Sequence, residues 1–246
     1  MKNPIEISSW LREYAESSNM KCLVVGISGG IDSALVSTLC AMTGMKTYAV
    51  SLPLHQIKKL NDLSLLQGSW LSSRFANVKH MTFDLSNAYN VFVDNFKDCT
   101  ELSLANTKSR LRMTALYQIA GDNRGIVVGT GNKVEDFGIG FFTKYGDGGV
   151  DISPIGDMLK TEVWEMSRQL NIPREIIDAL PTDGLWSDGR TDQDQIGLSY
   201  EELELAMGLC ESGVSPRNES EKRSIEIYKS HRSRNMHKML PIPVHK

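Results

Sequence analysis

The feature that most constrains this chain is an apolar run followed at once by a turn rich in glycine and serine. The run Cys22–Val25 predicts a buried strand, and the apolar residues from Ile31 to Met42 recur at helical spacing. Between them, residues 26–33 read Gly-Ile-Ser-Gly-Gly-Ile-Asp-Ser. Glycines let the backbone approach an anion closely, and a helix N-terminus presents free N–H groups with partial positive charge. The arrangement therefore predicts a phosphate-binding loop between a strand and a helix.

This loop lacks the lysine of a Walker-type loop, because the pattern Gly-x-x-x-x-Gly-Lys-[Ser/Thr] occurs nowhere in the chain. Two hydroxyls, Ser28 and Ser33, and one carboxylate, Asp32, stand in its place. A carboxylate repels phosphate, but it can hold a Mg²⁺ ion that bridges phosphates. The alternative is an ordinary glycine-containing turn, and the number of specified positions favours nucleotide chemistry. The order Ser-Gly-Gly-x-Asp-Ser resembles the pyrophosphate-binding loop of the ATP pyrophosphatases, which cleave ATP between its α and β phosphates.

Composition restricts the class of protein. A chain of 246 residues suits one large α/β domain. Its net charge of −3 argues against a duplex nucleic-acid binder, which usually carries a basic patch. Four cysteines without a C-x-x-C pair and five histidines without metal-ligand spacing predict reduced thiols and no zinc site. Neither a signal peptide nor a membrane-length apolar run is present, so we expect a cytoplasmic protein that contacts neither membrane nor nucleic acid.

Beyond the loop, strand-like and helix-like segments alternate. The predicted strands cover 47–52, 78–85 and 125–130, and the predicted helices cover 5–18, 56–75, 86–97, 101–121 and a segment from Lys160. This alternation predicts an α/β fold with a doubly wound, mainly parallel sheet and helices on both faces, whose ligands bind at the carboxyl ends of the strands. Residues 183–195 mix aspartates with glycines, and we expect a mobile loop with solvated carboxylates there.

A second motif, Gly-Thr-Gly-Asn-Lys-Val-Glu at 129–135, follows the last predicted strand. Thr130 lies at the tip of that strand, where its hydroxyl and backbone can hold a nucleotide. Glu135 begins the next element and could share one metal ion with Asp32, since two carboxylates with phosphate oxygens and water make a sensible Mg²⁺ site. On spacing alone, an exposed glutamate is an equally good interpretation.

Two further segments carry charged side chains. Arg110 and Arg112 lie on a predicted helix and point about 200° apart, so only one of them can face a given site. Taken alone, they are more typical of a solvated helix face. Residues 141–151 combine adjacent aromatics, one lysine, three glycines and two aspartates. Such a string could wrap a ligand and stack on a planar ring, and the alternative is a surface loop anchored by its aromatics.

Taken in order, these motifs resemble NAD⁺ synthetase. The string Phe-Phe-Thr-Lys-Tyr-Gly-Asp-Gly-Gly-Val-Asp at 141–151 is very specific to that family, and the resemblance runs on through Lys160 and Thr182 to His237-Lys238. The chain is similar to the short, ammonia-using form of the family. We therefore expect a single domain over residues 1–246, without the glutamine-hydrolysing domain of the longer form.

The resemblance implies a reaction and its participants. Members of the family adenylate the nicotinate carboxylate of deamido-NAD with ATP, release pyrophosphate, and let ammonia displace AMP. Preorganised charge rather than a nucleophile would carry this chemistry, with Mg²⁺ as cofactor and ATP as co-substrate. The family pairs as a homodimer, which the resemblance implies here as well. We expect the loop at 183–195 to keep water from the adenylate.

The resemblance also assigns site residues. ATP would be held by Gly26, Ile27, Ser28, Gly29, Gly30, Ile31, Asp32, Ser33, Thr130, Lys160 and Thr182. Deamido-NAD would be contacted by Arg110, Lys144, Asp151, His237 and Lys238. The metal would lie on Asp32 and Glu135, and the catalytic set would be Asp32, Glu135, Lys160 and Asp147. Without the resemblance, Lys160 is predicted to be a solvated first-turn lysine and His237 a surface histidine.

Two other functions remain open on the sequence. Another ATP pyrophosphatase, such as a tRNA-modifying enzyme, would need a basic RNA surface, and the thiolases among these enzymes usually carry cysteines at chemical positions. A non-catalytic adenine-nucleotide-binding module on the same fold would have no use for a metal pair or for Lys160. Three departures from the family pattern are Ile31, residues 131–132 and the stretch 55–75.

Overall fold

The computed structural model describes residues 2–186 and 188–245 and contains a four-stranded parallel sheet. The strands are β1 (Cys22–Gly26), β2 (Lys46–Ser51), β3 (Val78–Thr82) and β4 (Gly125–Val127). Their order in the sheet is β3-β2-β1-β4, and Val24 of β1 lies between Tyr48 and Val127. The predicted α/β fold with a parallel sheet is confirmed.

Helices connect and cover these strands. They are α1 (Pro4–Ser17), α2 (Ile31–Met42), α3 (Lys58–Arg74), α4 (Ser86–Val93), α5 (Glu101–Asn123), α6 (Lys160–Gln169), α7 (Arg174–Ile177), α8 (Asp192–Ile196), α9 (Tyr200–Ser212) and α10 (Glu219–Met239). A π-helical segment, Lys133–Ile139, follows β4. Within the described residues, no helix combines the length and the apolarity that a membrane span requires.

The central strand β1 is buried on both faces, as a continuous apolar run predicts. Its side chains alternate between two cores because strand side chains have a period of two. Leu23 and Val25 join a core built with α1, α2 and α6, whereas Cys22 and Val24 join a second core built with α5. Helices therefore cover both faces of the sheet.

The strand order places a crevice at the end of β1. The chain moves from β1 to β2 and β3 on one side and then returns to place β4 on the other side of β1. The connections leaving β1 and β4 therefore diverge, and ligands of open α/β sheets bind at such a point. The two motifs of the sequence, 26–33 and 129–135, both lie there.

Two strands end three residues earlier than the sequence predicts. Strand β3 ends at Thr82 rather than at 85, and β4 ends at Val127 rather than at 130. The reason at β4 is that Val128 pairs only as an isolated bridge with Ile152, after which the chain turns into the π-helical segment. The prediction of solvated carboxylates over 183–195 was wrong for Asp192, which begins α8 and is buried; Ser187 lies outside the described residues.

The carboxyl-terminal helices cover the π-helical segment. A third core joins Val134 and Ile139 of that segment to Leu203 and Met207 of α9 and Tyr228 of α10. Short π-helical turns are rare and often occur at functional sites. The packing fixes the segment that carries Glu135 beside the end of β1.

Candidate active site

The loop after β1 is held open by its own hydroxyls. Ser33 Oγ accepts the Ser28 N–H at 3.1 Å and donates to the Gly30 carbonyl at 2.9 Å. Gly29 has a φ of +83°, and a Cβ there would come within 2.6 Å of Leu63 Cβ. Only glycine meets both conditions without strain. The loop therefore presents backbone rather than side chains at the N-terminus of α2, as an anion site requires.

Helix α3 supports this loop from behind. Gln67 Oε1 accepts the Gly29 N–H at 3.3 Å, and Gln67 Nε2 donates to Ser37 Oγ at 2.8 Å. Ser64 Oγ donates to the Ile27 carbonyl at 2.8 Å. Sequence reasoning missed Gln67 and Ser64, which lie in the stretch 55–75 that follows the family only loosely. Their spacing of three residues places both side chains on one face of α3, and this spacing could have indicated that they act together.

Two carboxylates and one lysine lie together in the crevice between the connections that leave β1 and β4. Asp32 lies in the first turn of α2, Glu135 in the π-helical segment, and Lys160 at the first position of α6. Lys160 Nζ lies 2.5 Å from Asp32 Oδ2 and 2.9 Å from Glu135 Oε1. Lys160 is not the solvated first-turn lysine that its helix position alone would suggest, since its side chain is 1% exposed. Residues 128 positions apart in sequence thus form one buried ion-pair cluster.

The three charged groups of this cluster shift one another's pKa values. Burial raises the pKa of Asp32 although the charge of Lys160 opposes the shift, and the charge of Glu135 adds to it. Burial opposes the positive charge of Lys160, but the carboxylates of Asp32 and Glu135 outweigh it, and the Lys160 pKa is raised. Burial likewise opposes the charge of Glu135, but Lys160 and then the Tyr200 hydroxyl outweigh it, and the Glu135 pKa is lowered. Glu135 is therefore an anion at neutral pH.

Asn132 joins the two carboxylate-bearing elements. Its Nδ2 donates to Asp32 Oδ1 at 3.0 Å, and its Oδ1 accepts the N–H groups of Val134 and Glu135, both at 3.1 Å. The side chain is fully buried and caps the π-helical segment. Sequence reasoning treated residue 132 as a departure from the family pattern, whereas the structure gives it a central place.

Two further side chains missed by sequence reasoning lie behind Glu135. Tyr200 Oη lies 2.5 Å from Glu135 Oε1 and 3.0 Å from Asp192 Oδ2. Burial, and then the charge of Glu135, raise the pKa of Asp192 to about 7. Neither residue type signals such a place on its own, because burial beside Glu135 depends on how α8 and α9 pack.

The 141–151 string folds into a turn organised by its aspartates. Asp147 Oδ1 accepts the Ser109 hydroxyl at 2.6 Å and the Thr143 N–H at 3.0 Å. Asp151 accepts the Tyr117 hydroxyl at 2.9 Å and the Val127 N–H at 2.8 Å. The string is thus fastened to α5 and to the end of β4, rather than forming an independent surface loop.

The residues expected to contact the second substrate lie together. Arg110 Nε donates to the Lys144 carbonyl at 3.2 Å, and Lys144 Nζ donates to the His237 carbonyl at 3.1 Å. Lys238 Nζ donates to the Phe142 carbonyl at 2.6 Å. These contacts join α5, the 141–151 string and the end of α10 into one basic group of side chains.

Arg112 faces a different environment from Arg110, as the helical spacing predicts. Its Nε donates to the Leu52 carbonyl at 3.1 Å, and among the described residues its buried Nη2 has no hydrogen-bond partner. Burial lowers the pKa of Arg112 to about 10. Of the two ATP-assigned threonines, Thr130 is half-buried just past β4, and Thr182 Oγ1 donates to the Arg190 carbonyl at 2.9 Å.

Comparison with known proteins identifies the family. The NAD synthase family model matches residues 5–242. The NH(3)-dependent NAD(+) synthetase of Carboxydothermus hydrogenoformans is 39% identical over 205 residues, which cover 81% of this chain and 82% of the relative. The enzyme of the same name from Archaeoglobus fulgidus is 34% identical over 238 residues, or 96% and 94% of the two chains.

Solved structures agree in fold over the whole chain. The NMN synthetase of Francisella tularensis has a TM-score of 0.86 at 30% identity and covers 100% of this chain and 99% of its own. The NH3-dependent NAD synthetase of Campylobacter jejuni, solved with a nitrate ion, has a TM-score of 0.79 at 23% identity, with 99% and 97% covered. The resemblance drawn from the motifs is confirmed, and this chain belongs to the NAD synthase family.

Proposed function

We propose that this chain is an ammonia-dependent NAD⁺ synthetase that converts deamido-NAD⁺ to NAD⁺ at the expense of ATP. A nicotinate carboxylate oxygen attacks the α-phosphorus of ATP, and the bond to pyrophosphate breaks. Ammonia then attacks the carbonyl carbon, and AMP leaves with the bonding electron pair. The observation that carries the proposal is the buried Asp32–Lys160–Glu135 cluster beside a phosphate-type loop, in a chain of this family.

The residues present fit a magnesium ion. Asp32 and Glu135 already share one buried cation, the Lys160 ammonium, so their oxygens point toward a common centre. Asn132 fixes the position of the Asp32 carboxylate by donating to its Oδ1 at 3.0 Å. Mg²⁺ prefers one or two carboxylates together with substrate phosphates. Asp32 and Glu135 would hold the ion, which would neutralise charge on the phosphates.

The chain's own residues divide the remaining work. The backbone of Gly26–Ser33 would receive the phosphates that become pyrophosphate, since its N–H groups lie at the N-terminus of α2. Lys160 would stabilise charge that develops at the α-phosphorus, as a preorganised cation in a water-poor site. Thr130, just past β4, and Thr182, in the connection between α7 and α8, would also contact ATP.

Deamido-NAD would lie on the basic group formed by Arg110, Lys144, His237 and Lys238. Its two phosphates are anions, and arginine and lysine side chains are typical partners of phosphate groups. Asp151 would contribute mainly by fixing the turn, since both of its oxygens accept hydrogen bonds. Asp147 lies on the inner side of the same turn, and we place it near the reacting carboxylate.

We also propose that two copies pair through α5. The buried residues of this helix form one stripe from Ala105 to Ala120, whereas Leu102, in the first turn, and Tyr117, at the edge of the stripe, are exposed on one side. A second copy would cover that side, next to Arg110. Analytical ultracentrifugation would give twice the chain mass, and a monomer at micromolar concentration would contradict the pairing.

A second candidate function is the same amidation on a mononucleotide. The specific observation in its favour is the Francisella tularensis NMN synthetase, which matches this chain over its full length. The chemistry at the carboxylate would be unchanged, and only the adenylyl half of the substrate would be missing.

The test is a product assay with purified chain, ATP, MgCl₂ and ammonium chloride, run in parallel with deamido-NAD and with nicotinate mononucleotide. We expect NAD⁺ from the dinucleotide with ammonium and a much lower rate with glutamine as the only nitrogen source. Asp32→Asn should lower turnover about 10²-fold or more, whereas Asp122→Asn, exposed on α5, should be neutral. Preference for the mononucleotide would select the second candidate, and no amide from either acid would contradict both.

A further inference from the structure

Two buried side chains, Tyr200 and Asp192, lie behind Glu135, which is one of the two carboxylates that would hold the metal ion. Tyr200 is the first residue of α9, where the Ser199 and Glu202 side chains cap the helix start. Asp192 is the first residue of α8, and its N–H donates to the Pro181 carbonyl at 3.0 Å. Both side chains are less than one-tenth exposed. They are therefore fixed by their elements and not by solvent.

The hydroxyl of Tyr200 lies between two carboxyl groups. It is 2.5 Å from Glu135 Oε1 and 3.0 Å from Asp192 Oδ2. A phenol carries one proton, so the shorter contact is its donation to Glu135. The ring itself packs edge-on against Trp164, with centroids 5.7 Å apart, and this leaves the hydroxyl little freedom to turn away.

A purely structural role does not explain Asp192, because burial of its carboxyl group lowers the stability of the fold. Within the described part of the chain, it makes no ion pair closer than 4 Å, and its buried Oδ1 has no hydrogen-bond partner. A buried carboxyl group without such partners destabilises a fold, and an amide or an apolar side chain would do better there. Its position is explained if the fold needs the Tyr200 hydroxyl held at Glu135.

We propose that Tyr200 and Asp192 are positioning residues for the cation site: Tyr200 orients the Glu135 carboxylate, and Asp192 orients Tyr200. The inference rests on the proposed function, because it concerns the cation that Asp32 and Glu135 would share. The same two contacts connect α8 to the cation site, from Asp192 to Tyr200 and from Tyr200 to Glu135. A cation bound at Glu135 would therefore change the order of the segment 188–197.

Metal affinity is the property that this arrangement controls. Side chains that orient a ligand without touching the metal typically change metal affinity 10- to 100-fold when removed. Tyr200→Phe keeps the ring against Trp164 and removes only the hydroxyl. Asp192→Asn keeps the shape and replaces the titratable carboxyl group by a neutral amide. Neither substitution removes an atom that would touch the metal or ATP.

The experiment measures MnCl₂ binding to the purified chain with ATP present, by electron paramagnetic resonance of free Mn²⁺. We expect Kd to rise about tenfold or more in Tyr200→Phe and in Asp192→Asn. The matched control is Tyr48→Phe, which removes a buried hydroxyl that lies 2.7 Å from Asn123 Oδ1, away from the cluster. Its Kd should equal that of the parent chain.

A second readout follows α8 directly. Hydrogen exchange of the amides of 192–196 should slow when MnCl₂ and ATP are added to the parent chain, and this protection should be lost in Tyr200→Phe. Parent-like Kd and protection in both variants would overturn the inference while leaving the proposed site intact. Failure of the parent chain itself to bind Mn²⁺ would instead overturn the proposed cation site, and the inference with it.

Discussion

At the scale of single residues, Lys160 has two roles that conflict: it neutralises two buried carboxylates, and in the proposed reaction it contacts a phosphate. Its ammonium neutralises Asp32 and Glu135 in a place where unpaired carboxylates would be costly. The proposed reaction needs the same carboxylates for a metal ion and the same ammonium for a phosphate. The ion pairs with Lys160 therefore favour the charged form of Glu135, whereas burial keeps the pKa of Asp32 above its ordinary value.

Replacing Lys160 by methionine should affect stability, turnover and metal binding in different ways. Two buried carboxylates lose their counter-ion, so the free energy of unfolding should fall by about 3–5 kcal/mol. Turnover should fall about 10²-fold or more. Because nothing then competes with the metal at the carboxylates, MgCl₂ should raise Tm more in Lys160→Met than in the parent chain. Calorimetry with and without MgCl₂ measures this; an equal shift in the two proteins would show that the ammonium and the metal do not share a place.

The buried carboxyl group of Asp192 gives a pH dependence with a definite sign. Its pKa is raised to about 7, mainly by burial, whereas the pKa of the same group in the unfolded chain is about 4. Between these values the native state keeps a proton that the unfolded state loses, so this group makes the free energy of unfolding fall as pH rises. Below about pH 4 the contribution is absent, and above about pH 7 the full loss is present.

Asp192→Asn should remove that loss. In metal-free buffer, its gain in free energy of unfolding over the parent chain should be larger at about pH 8 than at about pH 5, by about 1 kcal/mol or more. Urea unfolding at the two pH values measures the gain. A gain that does not change with pH would mean that Asp192 is ionised in the native chain at both values.

At the scale of elements, the strands and the loop were the predictable part, and the contacts between distant elements were not. The run Cys22–Val25 predicted β1 because a strand buried on both faces is a continuous apolar segment. Glu135 could be paired with Asp32 because both follow strands of one parallel sheet. Nothing local marks Tyr200, which reaches Glu135 across 65 residues of sequence. Burial of an acid such as Asp192 depends on packing and has no signature in the residue itself.

Helix α3 provides a prediction at this scale, because Gln67 supports the phosphate loop from outside the site. Gln67→Met keeps the side-chain length and removes the acceptor of the Gly29 N–H. The loop should lose its preformed shape, so KM for ATP should rise about fivefold or more, with a smaller change in kcat. Gln118→Met, exposed on α5, is the control. An unchanged KM would mean that the loop keeps its shape without α3.

At the scale of the whole molecule, the order β3-β2-β1-β4 explains why the site lies where it does. After β1 the chain adds strands on one side and then places β4 on the other side, which opens one crevice. The connections that carry the two motifs both enter this crevice. Sequence alone predicted the fold class and the family, since both depend on local patterns in a fixed order. It could not predict the supports at Gln67, Asn132 and Asp192, whose roles depend on three-dimensional neighbours.

The central claim is that this crevice activates a carboxylate by joining it to AMP. The most direct test uses deamido-NAD with ¹⁸O in both carboxylate oxygens, together with ATP, MgCl₂ and ammonium, and mass spectrometry of the products. We expect one ¹⁸O atom in each AMP released, one in the amide of NAD⁺, and none in pyrophosphate. Unlabelled AMP, or ¹⁸O appearing in inorganic phosphate beside ADP, would contradict it.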